Sequence, residues 1–213
     1  TKLVACVSGG QIYTSTDSGA TWTARESNRN WSGVASSDSG TKLVAVDLAG
    51  QIYTSTDSGV TWTARESNRD WQSVASSTDG VNLVACVLGG QIYTSTDSGA
   101  TWTARESSRQ WYSVASSSDG SKLLAAEYPG HLYTSADSGV TWTARESVRS
   151  WLNVAMDSDG SKLFAVDFGG LIYTSTADTS EADAWTFAGI ITRDANAAST
   201  AAKVVPGAYT GLT

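Results

Sequence analysis

Ser15, Asp17, Gly19 and Trp22 return at a spacing of 40 residues as Ser55, Asp57, Gly59 and Trp62, again from Ser95 to Trp102, and again from Ser135 to Trp142. A fixed period of this length specifies a repeat architecture, a solenoid or a propeller, in which each unit buries its apolar face against its neighbours. Four short strand-like segments fill one period: Trp71 to Ser76, Leu83 to Cys86, Ile92 to Thr96 and Thr101 to Arg105. Gly, Asp and Ser turns separate them and no 3.6-residue apolar rhythm interrupts, which reads as an antiparallel meander. The expected fold is all-β: a five-bladed β-propeller of four-stranded antiparallel blades over residues 1–193, followed by a tail at 194–213.

The segment beginning at Trp71 is rich in small residues (Val74, Ala75, Ser76) and suits the crowded axis, so it is assigned as innermost strand A, with B, C and D following outward. Its Trp-x-x-Val-Ala pattern occurs at 31, 71, 111 and 151 but does not precede the first copy. An unclosed propeller leaves a strand edge bare. The tail, with Lys203, Val204 and Val205, is therefore expected to dock beside Leu3 to Val7; a second subunit or further blades are the alternatives. Copy five replaces its tight turn with 177–183 and reads as a cap.

The formal charge of −7 comes from scattered acids, which argues against nucleic acid as a partner. No apolar run approaches the length of a membrane-spanning helix, so membrane insertion is not expected. Thr1 opens in mid-repeat without a leader pattern, as a processed form or a fragment would. Cys6 and Cys86 stand at one repeat position where other copies have Val46, Ala126 and Val166, and are expected as free, buried thiols.

In the Ser-x-Asp-x-Gly-x-x-Trp unit the carboxylate can fold back onto turn N–H groups, the glycine supplies a positive φ and the tryptophan anchors the turn. The unit resembles the Asp-box, or BNR repeat, of sialidases, sortilin-type receptors and photosystem II assembly-factor propellers. That resemblance implies a peripheral C-to-D hairpin and a structural role for Asp17, Asp57, Asp97, Asp137, Trp22, Trp62, Trp102 and Trp142. Sialidase catalysis would further require three non-equivalent arginines, a tyrosine nucleophile with its glutamate and an aspartate acid. Here the arginines repeat with the period and no Arg-Ile-Pro precedes the first box. His131, the sole histidine, replaces Gln11, Gln51 and Gln91 and reads as a surface turn residue. No catalytic residue, metal site or cofactor is expected.

Two segments differ between copies: the B-to-C turn and the D-to-A connection, which an up-and-down blade places on one face. Loops on a rigid scaffold commonly carry recognition. The candidate binding face comprises Asp47, Glu127, Asp167, Tyr112, Tyr128 and Phe168, with Arg29, Arg69, Arg109 and Arg149. Drift in solvated loops, with the arginines paired to Glu26, Glu66, Glu106 and Glu146, is the competing reading. The functional expectation is a non-catalytic recognition or scaffold module, extracellular or at the cell surface, binding protein or glycan, with self-assembly through the tail as a further mode. A multivalent lectin is the alternative, and a glycoside hydrolase comes third because no asymmetric carboxylate pair stands out.

Overall fold

Strand after strand pairs antiparallel with its sequence neighbour, as expected of a meander. The computed structural model describes residues 1–177 and 185–191. Blade one holds β1 (Leu3–Cys6), β2 (Ser8–Ser15) and the first half of β3 (Thr23–Ser36). β4 (Leu43–Ser55), β5 (Thr63–Ser76), β6 (Leu83–Ser95) and β7 (Thr103–Ser116) continue the series. Then follow β8 (Leu123–Glu127), β9 (Gly130–Ser135) and β10 (Thr143–Arg149). Blade five is β11 (Trp151–Met156), β12 (Lys162–Asp167), β13 (Ile172–Ala177) and β14 (Trp185–Ile191).

The D and A segments expected to be separated by a loop form one strand. In β3, Thr23, Ala24 and Arg25 pair with β2 of blade one, whereas Trp31 to Ser36 pair with β4 of blade two. β5 and β7 change partner in the same way. A residue with left-handed φ marks the bend in each: Glu26 (48°), Glu66 (54°) and Glu106 (44°), with Glu146 (59°) at the same position in β10.

Equivalent inner strands abut, and their small residues permit it. The Ser73 hydroxyl accepts from Val114 N at 3.3 Å, and Ser113 accepts from Val154 N at 3.2 Å. The A-to-B turns also link from blade to blade: Asp38 N donates to Thr78 O at 2.8 Å, Thr78 N to Ser118 O and Ser118 N to Ser158 O at 2.7 Å. The core lies between blades. Val44, Val46 and Ile52 of blade two pack against Trp71, Leu83, Ala85 and Tyr93 of blade three. The same positions meet at the next two junctions.

The expected closed ring is not formed among the described residues. Sheet order runs linearly from β1 to β10 and from β11 to β14, with no pairing from blade five back to β1. The proposed docking of the tail beside Leu3 to Val7 lies outside the described residues, as does the cap over 178–184. Strand A begins at Trp31, Trp71, Trp111 and Trp151, all buried, as expected of core tryptophans. Trp22 departs from that reading and is 44% exposed, because among the described residues no blade packs against that side of blade one.

Candidate functional site

The turn unit is a closed hydrogen-bond device. Ser95 Oγ donates to Asp97 Oδ1 at 2.8 Å and accepts from Gly99 N at 2.9 Å. Asp97 accepts from Thr101 N at 2.9 Å and Thr101 Oγ1 at 2.6 Å, and Trp102 Nε1 donates to Gly99 O at 3.1 Å. The units at Asp17, Asp57 and Asp137 repeat these bonds. Ser98 (φ 60°) and Gly99 (φ 81°) are both left-handed, the conformation of a hairpin turn that follows strand twist. Every side-chain hydrogen bond these aspartates make is to a residue of their own turn.

Hydrogen bonds from the threonine side chain hold Asp17, Asp57 and Asp97 at about 2, and the Ser117 hydroxyl is foremost in doing the same for Asp119. A carboxyl lowered by folding adds stability that is complete above its ordinary range and is lost as pH falls through the folded value. The thermal midpoint should therefore stay level from neutral pH to about 5 and fall steeply from about 4 toward 2. Carboxyl NMR titration should show these aspartates among the last to protonate; ordinary titration near 4 would contradict the bonds.

On the opposite face, the arginines act as clasps between blades. Each guanidinium lies over a tyrosine of the next blade: Arg29 over Tyr53 at 4.5 Å, Arg69 over Tyr93 at 4.9 Å, Arg109 over Tyr133 at 5.0 Å and Arg149 over Tyr173 at 4.9 Å. Contacts of this kind stabilise by about 0.5–1 kcal/mol where partly exposed. Glu26, Glu66 and Glu106 approach their arginines at 3.6, 3.4 and 3.6 Å, as the competing reading expected. The tyrosine partner was not anticipated, although Arg and Tyr recur together in every period.

The acidic residues expected on this face turn inward. Asp47 and Asp167 are 7% and 8% exposed, and Glu127 is partly buried. Asp47 lies 3.9 Å from Arg29, Glu127 lies 3.7 Å from Arg109, and Asp167 accepts from Tyr173 Oη at 3.3 Å and Leu171 N at 3.1 Å. Burial raises the Asp47 pKa and the Arg29 charge opposes that rise. These carboxylates serve the junction, because the B strand that carries them is covered by the preceding blade.

What the face does present is apolar. One B-to-C turn position carries Leu48, Leu88, Tyr128 and Phe168 in blades two to five. Leu88 pairs with Gln110, whose carbonyl also accepts from Tyr128 N at 2.8 Å, so the turns of blades three and four flank one residue. Tyr112 joins Tyr128 with ring centroids 5.4 Å apart. Phe168 is 72% exposed and Val148 is 64% exposed. Sequence reasoning found Tyr112, Tyr128 and Phe168 but missed Leu48, Leu88 and Val148, whose signal was a large apolar residue in a turn.

His131 is a partial correction, since it is half-buried. Its Nδ1 meets Glu146 O at 2.6 Å, where Gln11, Gln51 and Gln91 donate to Glu26, Glu66 and Glu106. It buttresses the left-handed bend. Both cysteines are free; Cys86 is fully buried, with its thiol pushed up to about 12 by desolvation, whereas Cys6 is only partly buried at the unpaired edge. Among the described residues no three His, Cys, Asp or Glu side chains converge as metal ligands.

No family model and no curated protein matches this chain. Solved β-propellers do. YCF48 bound to D1 peptide aligns at 18% identity and TM-score 0.62, covering 86% of this chain and 61% of that one. YCF48 from Cyanidioschyzon merolae aligns at 18% and 0.64, covering 87% and 66%. The Cps50 (Swd1) β-propeller domain of Myceliophteria thermophila aligns at 13% and 0.70, covering 90% and 68%. A GH74 enzyme of Niastella koreensis aligns at 23% and 0.59, covering 86% of this chain and 29% of its own. These likenesses establish the β-propeller fold. The chain spans less than two thirds of the length of either YCF48 chain.

Proposed function

We propose that this chain is a non-catalytic recognition scaffold that binds a protein segment bearing apolar side chains along the Leu48–Leu88–Tyr128–Phe168 arc. The observation that carries the reading is that arc: large apolar groups stand at one turn position in four successive blades, where solvated drift would favour polar residues. The surrounding acids and arginines are occupied with one another and with tyrosines, which leaves shape and apolar contact as the means of recognition. Aromatic residues concentrate in blades four and five, so the arc has a preferred end for an anchor side chain. A solved propeller of similar fold, YCF48, is bound to a D1 peptide, which supports a peptide as the class of ligand.

Membership of the Asp-box family, and placement outside the cell or at its surface, belong to the same proposal. The turn geometry supports the first. A five-bladed arrangement is likewise part of it; the β1 edge, unpaired among the described residues, leaves either residues 194–213 or a second subunit to complete it.

A random peptide display selection on the intact chain tests the reading. Selected peptides should be rich in aromatic and aliphatic residues, and Tyr128→Ala with Phe168→Ala should weaken them roughly 30-fold. Val60→Ala, on an exposed turn of the opposite face, should leave affinity unchanged. Equal losses from both, or selection of no peptide beside positive glycan binding, would contradict the proposal.

A further inference from the structure

One interface recurs at every internal junction, and its two halves differ. The leading face of a blade offers two B-strand positions and one C-strand position, Val84, Cys86 and Ile92 in blade three. The trailing face of the next blade answers with Leu123, Ala125 and Tyr133, joined by Trp111 and Trp142. Among the described residues, each half stands alone at the ends of the arc. Blade five leads with Phe164, Val166 and Ile172, and Phe164 is 40% exposed where Val44, Val84 and Leu124 are at most 2% exposed. Blade one trails with Leu3, Ala5, Tyr13 and Trp22, and Leu3 is 39% exposed where its four counterparts are at most 5% exposed.

We propose that these two faces are the halves of one interface and that a second copy of this chain occupies them, blade five of one molecule docking on blade one of the next. The support is continuity with the internal junctions. The repeat has already made a leading face complementary to a trailing face, so the free pair needs no new chemistry. Two copies of one half do not answer each other: a leading face has no tryptophan or tyrosine to offer, and a trailing face has no Val84–Cys86–Ile92 equivalent. Strand order agrees, since β3, β5 and β7 each run out of one blade as the inner strand of the next, while among the described residues β1 has no inner strand beside it. The contact is heterologous, so a docked pair leaves one further face of each kind. It uses the blade faces and is independent of the loop arc.

Sedimentation velocity on the full chain over a range of concentrations tests this with two charge insertions. Phe164→Glu spoils the blade-five face and Leu3→Glu the blade-one face, and neither side chain is buried, so circular dichroism should be unchanged. The wild-type mass should rise with concentration while each variant alone stays monomeric. An equimolar mixture of the variants should form a two-chain species and stop there, since each supplies one intact face. A wild-type chain that stays monomeric, as when residues 192–213 cover the faces from within, overturns the proposal. So does a variant that dimerises alone, or a mixture that stays monomeric.

Discussion

Trp111→Ala lowers the unfolding free energy by about 3–5 kcal/mol, the range for emptying a large aromatic site that cannot collapse. Trp111 is fully buried at the junction of blades three and four, among Val84, Cys86 and Ile92 on one side and Leu123 and Ala125 on the other. Its ring meets Tyr133 edge-on at 4.9 Å, and its Nε1 donates to Ser107 O at 3.2 Å. Strand ladders hold both walls, so neither can move in to fill the space. Because repeat units are coupled to nearest neighbours, the loss falls on one junction. Guanidinium unfolding should then resolve into two transitions as the arc parts between blades three and four. Trp22→Ala is the control: that ring is 44% exposed, and its bond to Gly19 O is worth at most about 1.5 kcal/mol. Equal costs at the two positions would show that the repeat does not rest on its inner tryptophans.

The contrast between Trp111 and Trp22 marks the reach of the sequence. Strand order, turn positions and the inner Trp-x-x-Val-Ala strand were legible because the period repeats each signal several times. The continuous D-to-A strands were not, since the bend falls on Glu26 and its counterparts, residues that do not announce a left-handed φ. That bend is held from a distance by Gln11, Gln51, Gln91 or His131, each bonded to the glutamate carbonyl. The candidate face was legible as a location but not in its chemistry. Asp47 and Asp167 vary as surface residues do, yet a preceding blade covers them, and alternation along one strand cannot report a neighbouring sheet. The same reason governs the ends: Leu3 and Leu43 are one repeat position, and only a neighbouring blade makes the second a core residue.

Gly99→Ala destabilises by about 2–5 kcal/mol, and the cost divides into two parts that can be measured separately. The first is conformational. Gly99 has φ of 81°, and a side chain in the left-handed region costs roughly 1–2 kcal/mol. The second is steric: a Cβ there would lie 2.7 Å from Thr54 Cγ2 and 3.2 Å from Leu83 Cδ1, and overpacking of this kind costs about 1–3 kcal/mol. Thr54 belongs to the preceding blade, so a substitution in one turn pushes on the junction behind it. Thr54→Ser removes the offending methyl and keeps the hydroxyl that accepts from Arg65 Nε at 3.1 Å. In a double-mutant cycle Thr54→Ser should recover most of the steric part and none of the conformational part. Gly9→Ala isolates the conformational part, since Gly9 has φ of 74° and nothing within 4 Å of its added Cβ. Additivity of Gly99→Ala and Thr54→Ser would place the whole cost in the turn; coupling of 1 kcal/mol or more, in the range seen for touching residues, would show that each turn also seals the blade behind it.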